Sequence, residues 1–343
     1  MPVVRKIIPE RRDPRRITPT IWTPLSETTG IPVATTLGIE VAQSVAREIL
    51  TGVDTRGWGW LEAEYDRLWA SKETTIHGGR KYALVEQTLE QLAPWRAGEP
   101  ASLEPGLELV RQARREAPRS IFLAALLAHL LRSAAHAWKA STRSAGERRE
   151  RTTALSSEAE AVLAEAAARG ADGPFWHRML CRSALVDGSD RAEKERRYRR
   201  AVAFDPADVF IHLARGHQLM PDWHGSFAEI ERHAREAAEV SSATMGAAMY
   251  AQVYNLVSLS HPLGSTSVDW ARLWPAHEDS MRAFPSQPDA NIYARLAHEQ
   301  REKAVVRRAF ESHLAVYFQR LWRDDGQFLK AFRSTGLAPR TMH

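Results

Sequence analysis

Residues 219–231 read LMPDWHGSFAEIE, and two of them, Asp222 and His224, are of types that hold a metal or move a proton. His212, His217 and His233 flank them. Their spacing argues against a metal centre. His212 and His217 stand five apart, so they do not share a helix face as an i, i+4 pair would. His224 and His233 meet only if the chain folds back between them. The stretch His298-Glu299-Gln300-Arg301-Glu302 starts like a zinc-protease helix but lacks the second His. Cys181 is the single cysteine, which excludes an intrachain disulfide and any zinc site needing two thiolates. It lies in the apolar run RMLCRSAL and reads as a small core residue rather than a nucleophile. Walker loops, dinucleotide glycine patterns, nucleophile elbows and calcium loops are absent from the sequence. The expectation is therefore no catalytic residue, no metal and no cofactor.

Each residue of 219–231 has instead a role in a turn between packed helices. Pro221 ends one helix, and Gly225 supplies a positive φ at little cost. Ser226 caps the next helix, with Glu229 closing a capping box. Trp223 fills the gap between two helical hairpins with its large apolar face.

The elements that would carry such a turn are helices. The chain of 343 residues is 44% hydrophobic and 26% charged, ordinary for a globular protein with its own core. Apolar residues recur at helical spacing from about residue 39: Val41, Val45 and Ile49, then Leu61, Tyr65 and Leu68, then Leu84, Val85, Leu89 and Leu92. Capping-box spacing at Ser157/Glu160, Asp190/Glu193 and Ser226/Glu229, with Asp205-Pro206, predicts helix starts near 158, 191, 227 and 207. Residues 140–155 read as a polar connector. Further helices are expected over 243–258, 269–284, 290–300, 303–324 and 326–333. No strand pattern stands out, so the fold class is all-α. The run Ile121–Leu131 is too short to span a bilayer and reads as a buried helix. The first twenty residues carry charges and no apolar signal-like core.

Four segments follow. Residues 1–38 hold six prolines and the cluster Arg11, Arg12, Arg15 and Arg16, and read as an extended basic arm, anchored by Trp22 and Ile31 if it docks. Residues 39–98 form N-terminal helical hairpins, ending in a Pro/Gly-rich linker over 94–105 that follows a turn at His77-Gly78-Gly79. Residues 99–335 form a longer helical array, and 336–343 a tail.

Within the array, Tyr198-x-x-Ala201-x-x-Phe204-Asp205-Pro206 resembles the second half of a tetratricopeptide repeat. Pro174 and Pro206 lie 32 residues apart, close to that repeat's period of about 34. Ala184 and Gly216 fall in its small-residue slots, while Lys194 departs from it. Leu219-x-Pro221-x-Trp223-x-Gly225-Ser226, with Phe284-Pro285 and Asn291-x-Tyr293-Ala294-x-x-Ala297, resembles the bacterial family domain of unknown function 4034. The resemblance covers about residues 40–325 and departs from the family at Asp222 and His224. It implies a right-handed, degenerate array of antiparallel helical hairpins and no particular activity.

A helical array of this kind implies a non-enzymatic module that binds a partner protein or peptide on a groove, as a scaffold, a regulator or an immunity-type protein. Arg178, Arg182, His212 and Arg215 are the groove candidates. The net charge of +5 and an excess of arginine over lysine, 40 to 7, leave room for an alternative: polyanion or nucleic-acid binding through the arm. Elsewhere the arginines alternate with acids, as in EKERRYRR, and read as solvated faces. An enzyme whose pocket leaves no local motif is the second alternative. A cytoplasmic setting fits the single cysteine.

Overall fold

The computed structural model describes residues 39–74, 80–93 and 100–338, with short pieces at 20–21, 29, 31 and 33–34. Arg11, Arg12, Arg15, Arg16, Trp22, the turn at His77-Gly78-Gly79 and residues 94–99 lie outside them. Among the described residues the fold is all-α, with fifteen α-helices and three two-residue strands. The chain forms two compact units.

The first unit contains Val45–Glu73 and Arg80–Gln218. It holds most of α1 (Ile39–Arg56), then α2 (Trp58–Ser71), α3 (Lys81–Glu90), α4 (Glu104–Glu116), α5 (Ile121–Ala140), α6 (Ala145–Ala168), α7 (Pro174–Ser183), α8 (Arg191–Phe204) and α9 (Val209–Gln218). α5 is its centre. Ser120 caps it by accepting the Leu123 amide at 3.1 Å, and nearly every residue from Phe122 to Trp138 is buried. Its alanines at 124, 125, 128, 134 and 135 let α6 and α7 approach closely on different faces. The helix is long and apolar enough to cross a membrane, yet 89% of that window is buried inside the fold.

Two boundaries differ from expectation. The connector over 140–155 is helical from Ala145, and Ser157 lies inside α6 rather than at its start. Ser144 caps this helix through the Glu147 amide, an equally good capping box thirteen residues earlier. Leu155, Ala159, Val162 and Ala166 then bury one continuous stripe, so the chain gains nothing by breaking at 157. At the other boundary, Asp205 accepts the Ala207 amide at 3.2 Å, while Asp208 accepts the Phe210 amide at 3.1 Å. α9 accordingly begins at Val209.

The second unit is built on residues 219–338. It holds α10 (Phe227–Met245), α11 (Ala248–Ser258), α12 (Trp270–Ala283), α13 (Gln287–Glu299), α14 (Lys303–Ser312) and α15 (Asp325–Ser334). The single helix expected over 303–324 stops at Ser312. Gln287 and Asn291 on α13 explain why. Gln287 Oε1 accepts the amides of Ala315 and Val316, and Asn291 Oδ1 accepts the Phe318 amide and the Trp322 indole. These side chains hold 315–318 extended. β3 (Tyr317–Phe318) pairs in parallel with β2 (Val33–Ala34), which pairs antiparallel with β1 (Thr20–Ile21). Strands this short leave no period-two pattern to read. Ile31, one of the two expected anchors, is buried beside them in this unit.

Candidate functional site

The first unit contains a lattice of buried charge assembled by two matched helix stripes. Tyr82, Glu86 and Glu90 recur every four residues on α3; Arg178 and Arg182 do the same on α7. Arg178 donates Nε to Glu86 Oε1 at 2.5 Å and Nη2 to Glu86 Oε2 at 2.7 Å, and its Nη1 meets Asp208. Both Arg178 and Glu86 are 0% exposed. One turn along, Arg182 donates to both oxygens of Glu90, which also faces His129 Nε2 at 2.9 Å. His129 Nδ1 lies 2.9 Å from Ser183 Oγ. Tyr65 donates to Glu86 at 2.7 Å, and Tyr82 to Asp205 at 3.0 Å.

Burial works against the Arg178 charge, but the field and hydrogen bonds of Glu86 outweigh it, and its pKa is raised. Burial, reinforced by Glu86, lifts the Tyr65 phenol well above the ordinary range, so it stays a donor. Glu90 is lowered: the charges of Arg182 and His129 overcome its burial. A guanidinium filled on three sides by protein has no open face for a ligand. The lattice ties α3 to α7 and to the start of α9.

At the lattice's edge, the Lys72 ammonium sits 3.2 Å from the Trp69 ring centroid and 3.3 Å from Asp205. Arg80 approaches the same carboxylate at 3.9 Å. Burial lowers the Lys72 pKa, with the Asp205 charge opposing that shift.

The four groove candidates are corrected by this geometry. Arg178 and Arg182 belong to the lattice. Arg215 reaches Glu195 at 2.9 Å and Gln218 at 3.2 Å. His212 takes a bond with the Tyr198 hydroxyl at 2.8 Å and one with the Pro206 carbonyl, and burial lowers its pKa. Arg178, His212 and Arg215 are buried, Arg182 is 15% exposed at its side chain, and all four are committed to internal partners. Charged residues on the first helix of each hairpin look alike in sequence whether they face a groove or a carboxylate. The signal for the second case was present in the matching spacing of 86/90 and 178/182.

What faces outward is α8. Arg196 and Arg199 are 71% and 76% exposed at their side chains, and Arg200 is exposed beside them. With Ala192 and Glu195 they form one open stripe along this helix. One turn on, Phe204 is exposed and stacks on His177 at 5.5 Å. No family model, curated protein or solved structure matches this chain. The face is therefore read from its own geometry.

The turn at 219–231 is structural, with two corrections. Positive φ belongs to His224, at 66°, rather than to Gly225. Gly225 is needed for close approach: a Cβ there would lie 2.0 Å from the Leu219 carbonyl oxygen. Trp223 lies in a short 3-10 turn that starts at Pro221 and is only partly buried rather than fully in the core. Ser226 caps α10 as expected, with Glu229 closing the box. Asp222 is exposed and 3.8 Å from His261. Among the described residues no three His, Cys, Asp or Glu side chains are grouped to hold a metal. Burial pushes the Cys181 thiol up to about 12, which keeps it protonated.

Proposed function

We propose that this chain is a non-enzymatic interaction module, a degenerate helical-hairpin array that binds an acidic segment of a partner protein along the outer face of α8. The observation that carries the reading is the contrast in arginine placement. Arg178, Arg182 and Arg215 are used up internally, while Arg196, Arg199 and Arg200 stand exposed on one open helical face. Arg196 pairs with Glu193 and Arg199 with Glu195 of the same helix, surface pairs that a partner carboxylate exchanges at little cost. Phe204, at i+4 from Arg200, adds an apolar contact at the end of the ridge. A bacterial cytoplasmic setting is part of this reading, in keeping with one buried, protonated cysteine.

The test is fluorescence anisotropy with a labelled ten-residue glutamate-rich peptide carrying one Phe, titrated with the full chain. We expect saturable binding that weakens with salt, and a loss of about tenfold in an Arg196→Ala, Arg199→Ala, Arg200→Ala variant, from three exposed pairs at about 0.2–1 kcal/mol each. Equal binding by the variant overturns the reading. Preference for a single-stranded oligonucleotide of equal charge favours the polyanion alternative instead.

A further inference from the structure

The first unit contains a recess that the α8 reading does not use. It is a cleft of about 160 Å³ where α5 and α6 meet the loop after α7. Arg132, His136 and Lys139 come from one face of α5, at i, i+4 and i+7. Thr152 and Ser156 come from α6, four residues apart, and face them across the hairpin. The two acids in the cleft are engaged. Glu160 Oε1 accepts from Arg132 Nη2 at 2.7 Å, and Asp187 Oδ2 is shared by Arg132 Nη1 at 2.8 Å and Arg197. The Thr152 hydroxyl makes only a long bond, 3.4 Å, to the Ala135 carbonyl.

We infer that this cleft binds a small tetrahedral oxyanion, a phosphate or the phosphoryl end of a small ester, between Lys139 and His136 on one side and Thr152 and Ser156 on the other. Three observations support it. Both carboxylates of the cleft are bound to arginine, so none among the described residues is paired with Lys139. Donors converge from two opposed helices, which suits four oxygens pointing apart better than the two coplanar oxygens of a carboxylate. The recess, about 160 Å³ and open to solvent on one side, has room for an ion of five heavy atoms. His136 fits the same picture. Burial and then the Lys139 charge lower its pKa, so the imidazole is neutral in the empty cleft and gains a proton when an anion arrives.

Isothermal titration of the full chain with sodium phosphate, with glycerol 3-phosphate and with sodium acetate at matched ionic strength tests this. The expected result is saturable phosphate binding, at least tenfold weaker in Lys139→Ala and in His136→Gln, with unchanged thermal unfolding. Acetate should give no saturable heat. Ser156→Asp, which puts a competing carboxylate opposite Lys139, should abolish binding. Glycerol 3-phosphate binding more tightly than phosphate identifies an ester as the ligand; phosphate alone binding identifies the free anion. In NMR titrations, phosphate should raise the pKa of the His136 ring, assigned by its loss in His136→Gln. A non-saturating response equal in all variants, or acetate binding as well as phosphate, overturns the proposal. The cleft and the α8 ridge share no arginine, so either can fail alone.

Discussion

The two units bury polar groups in opposite ways. In the first, Arg178, Glu86, Asp208, Arg182 and Glu90 form a closed set of opposite charges. In the second, His277 is 0% exposed on α12, and neither ring nitrogen has a hydrogen-bond partner. It stacks on Tyr293 with ring centroids 4.5 Å apart. Nearby, Tyr293 and His313 both bond to Glu278, with Arg308 at 3.8 Å from the same carboxylate. An ion lattice tolerates burial because each charge has a geometric match. A buried imidazole tolerates it by staying neutral. Burial, with a smaller push from the His313 charge, takes the His277 pKa down to about 3. The first solution fixes register and resists acid; the second is packed like a core aromatic and fails when protonated.

The largest expected effect breaks the first solution. Arg178→Met leaves Glu86 and Asp208 buried without their cation and should cost about 3–5 kcal/mol in denaturant unfolding. A loss under about 1 kcal/mol would mean that water enters the lattice freely.

Acid should separate the two regions. The His277 pKa in the folded chain lies below its ordinary value of 6.5, so the unfolded chain takes the proton first. Stability from this group is therefore complete above about pH 6.5 and falls as pH drops toward 3. At about 1.4 kcal/mol per pH unit, the loss at pH 5 is about 2 kcal/mol. His277→Phe keeps the stack on Tyr293 and should flatten that part of the pH profile; an unchanged slope between pH 6.5 and 5 would contradict the assignment.

Gly225→Ala sharpens the account of the turn. The added Cβ collides with the Leu219 carbonyl, and about 1–3 kcal/mol should be lost in thermal unfolding, as for overpacking elsewhere. A neutral result would show that the turn relaxes. Trp223→Ala should cost less than truncation of a fully buried side chain because Trp223 is partly exposed.

Local rules made much of the fold legible. Ser226 and Asp190 cap the helices their spacing predicts, and the apolar run from Ile121 is the buried centre of the first unit. Where reading failed, competing local signals or distant partners decided. Ser144 and Ser157 both offer a cap, and only the continuous buried stripe of α6 selects the first. The end of α14 depends on Asn291 and Gln287, which belong to another helix. The groove candidates failed for the same reason: Arg178 meets Glu86, 92 residues away, and a one-dimensional pattern does not say which carboxylate a guanidinium will find. Arg196, Arg199 and Arg200 of α8 are exposed, as the alternation of arginines with acids in EKERRYRR suggested.

The central claim is that Arg178 and Glu86 serve each other rather than a ligand. A double-mutant cycle tests it, with unfolding free energies for the native chain, Arg178→Met, Glu86→Leu and the double variant. The account predicts strong coupling, with the double variant losing less than the two single losses added together, because neither charge is then left alone in the core. Additive losses would contradict it and return Arg178 to the set of residues free to bind a partner.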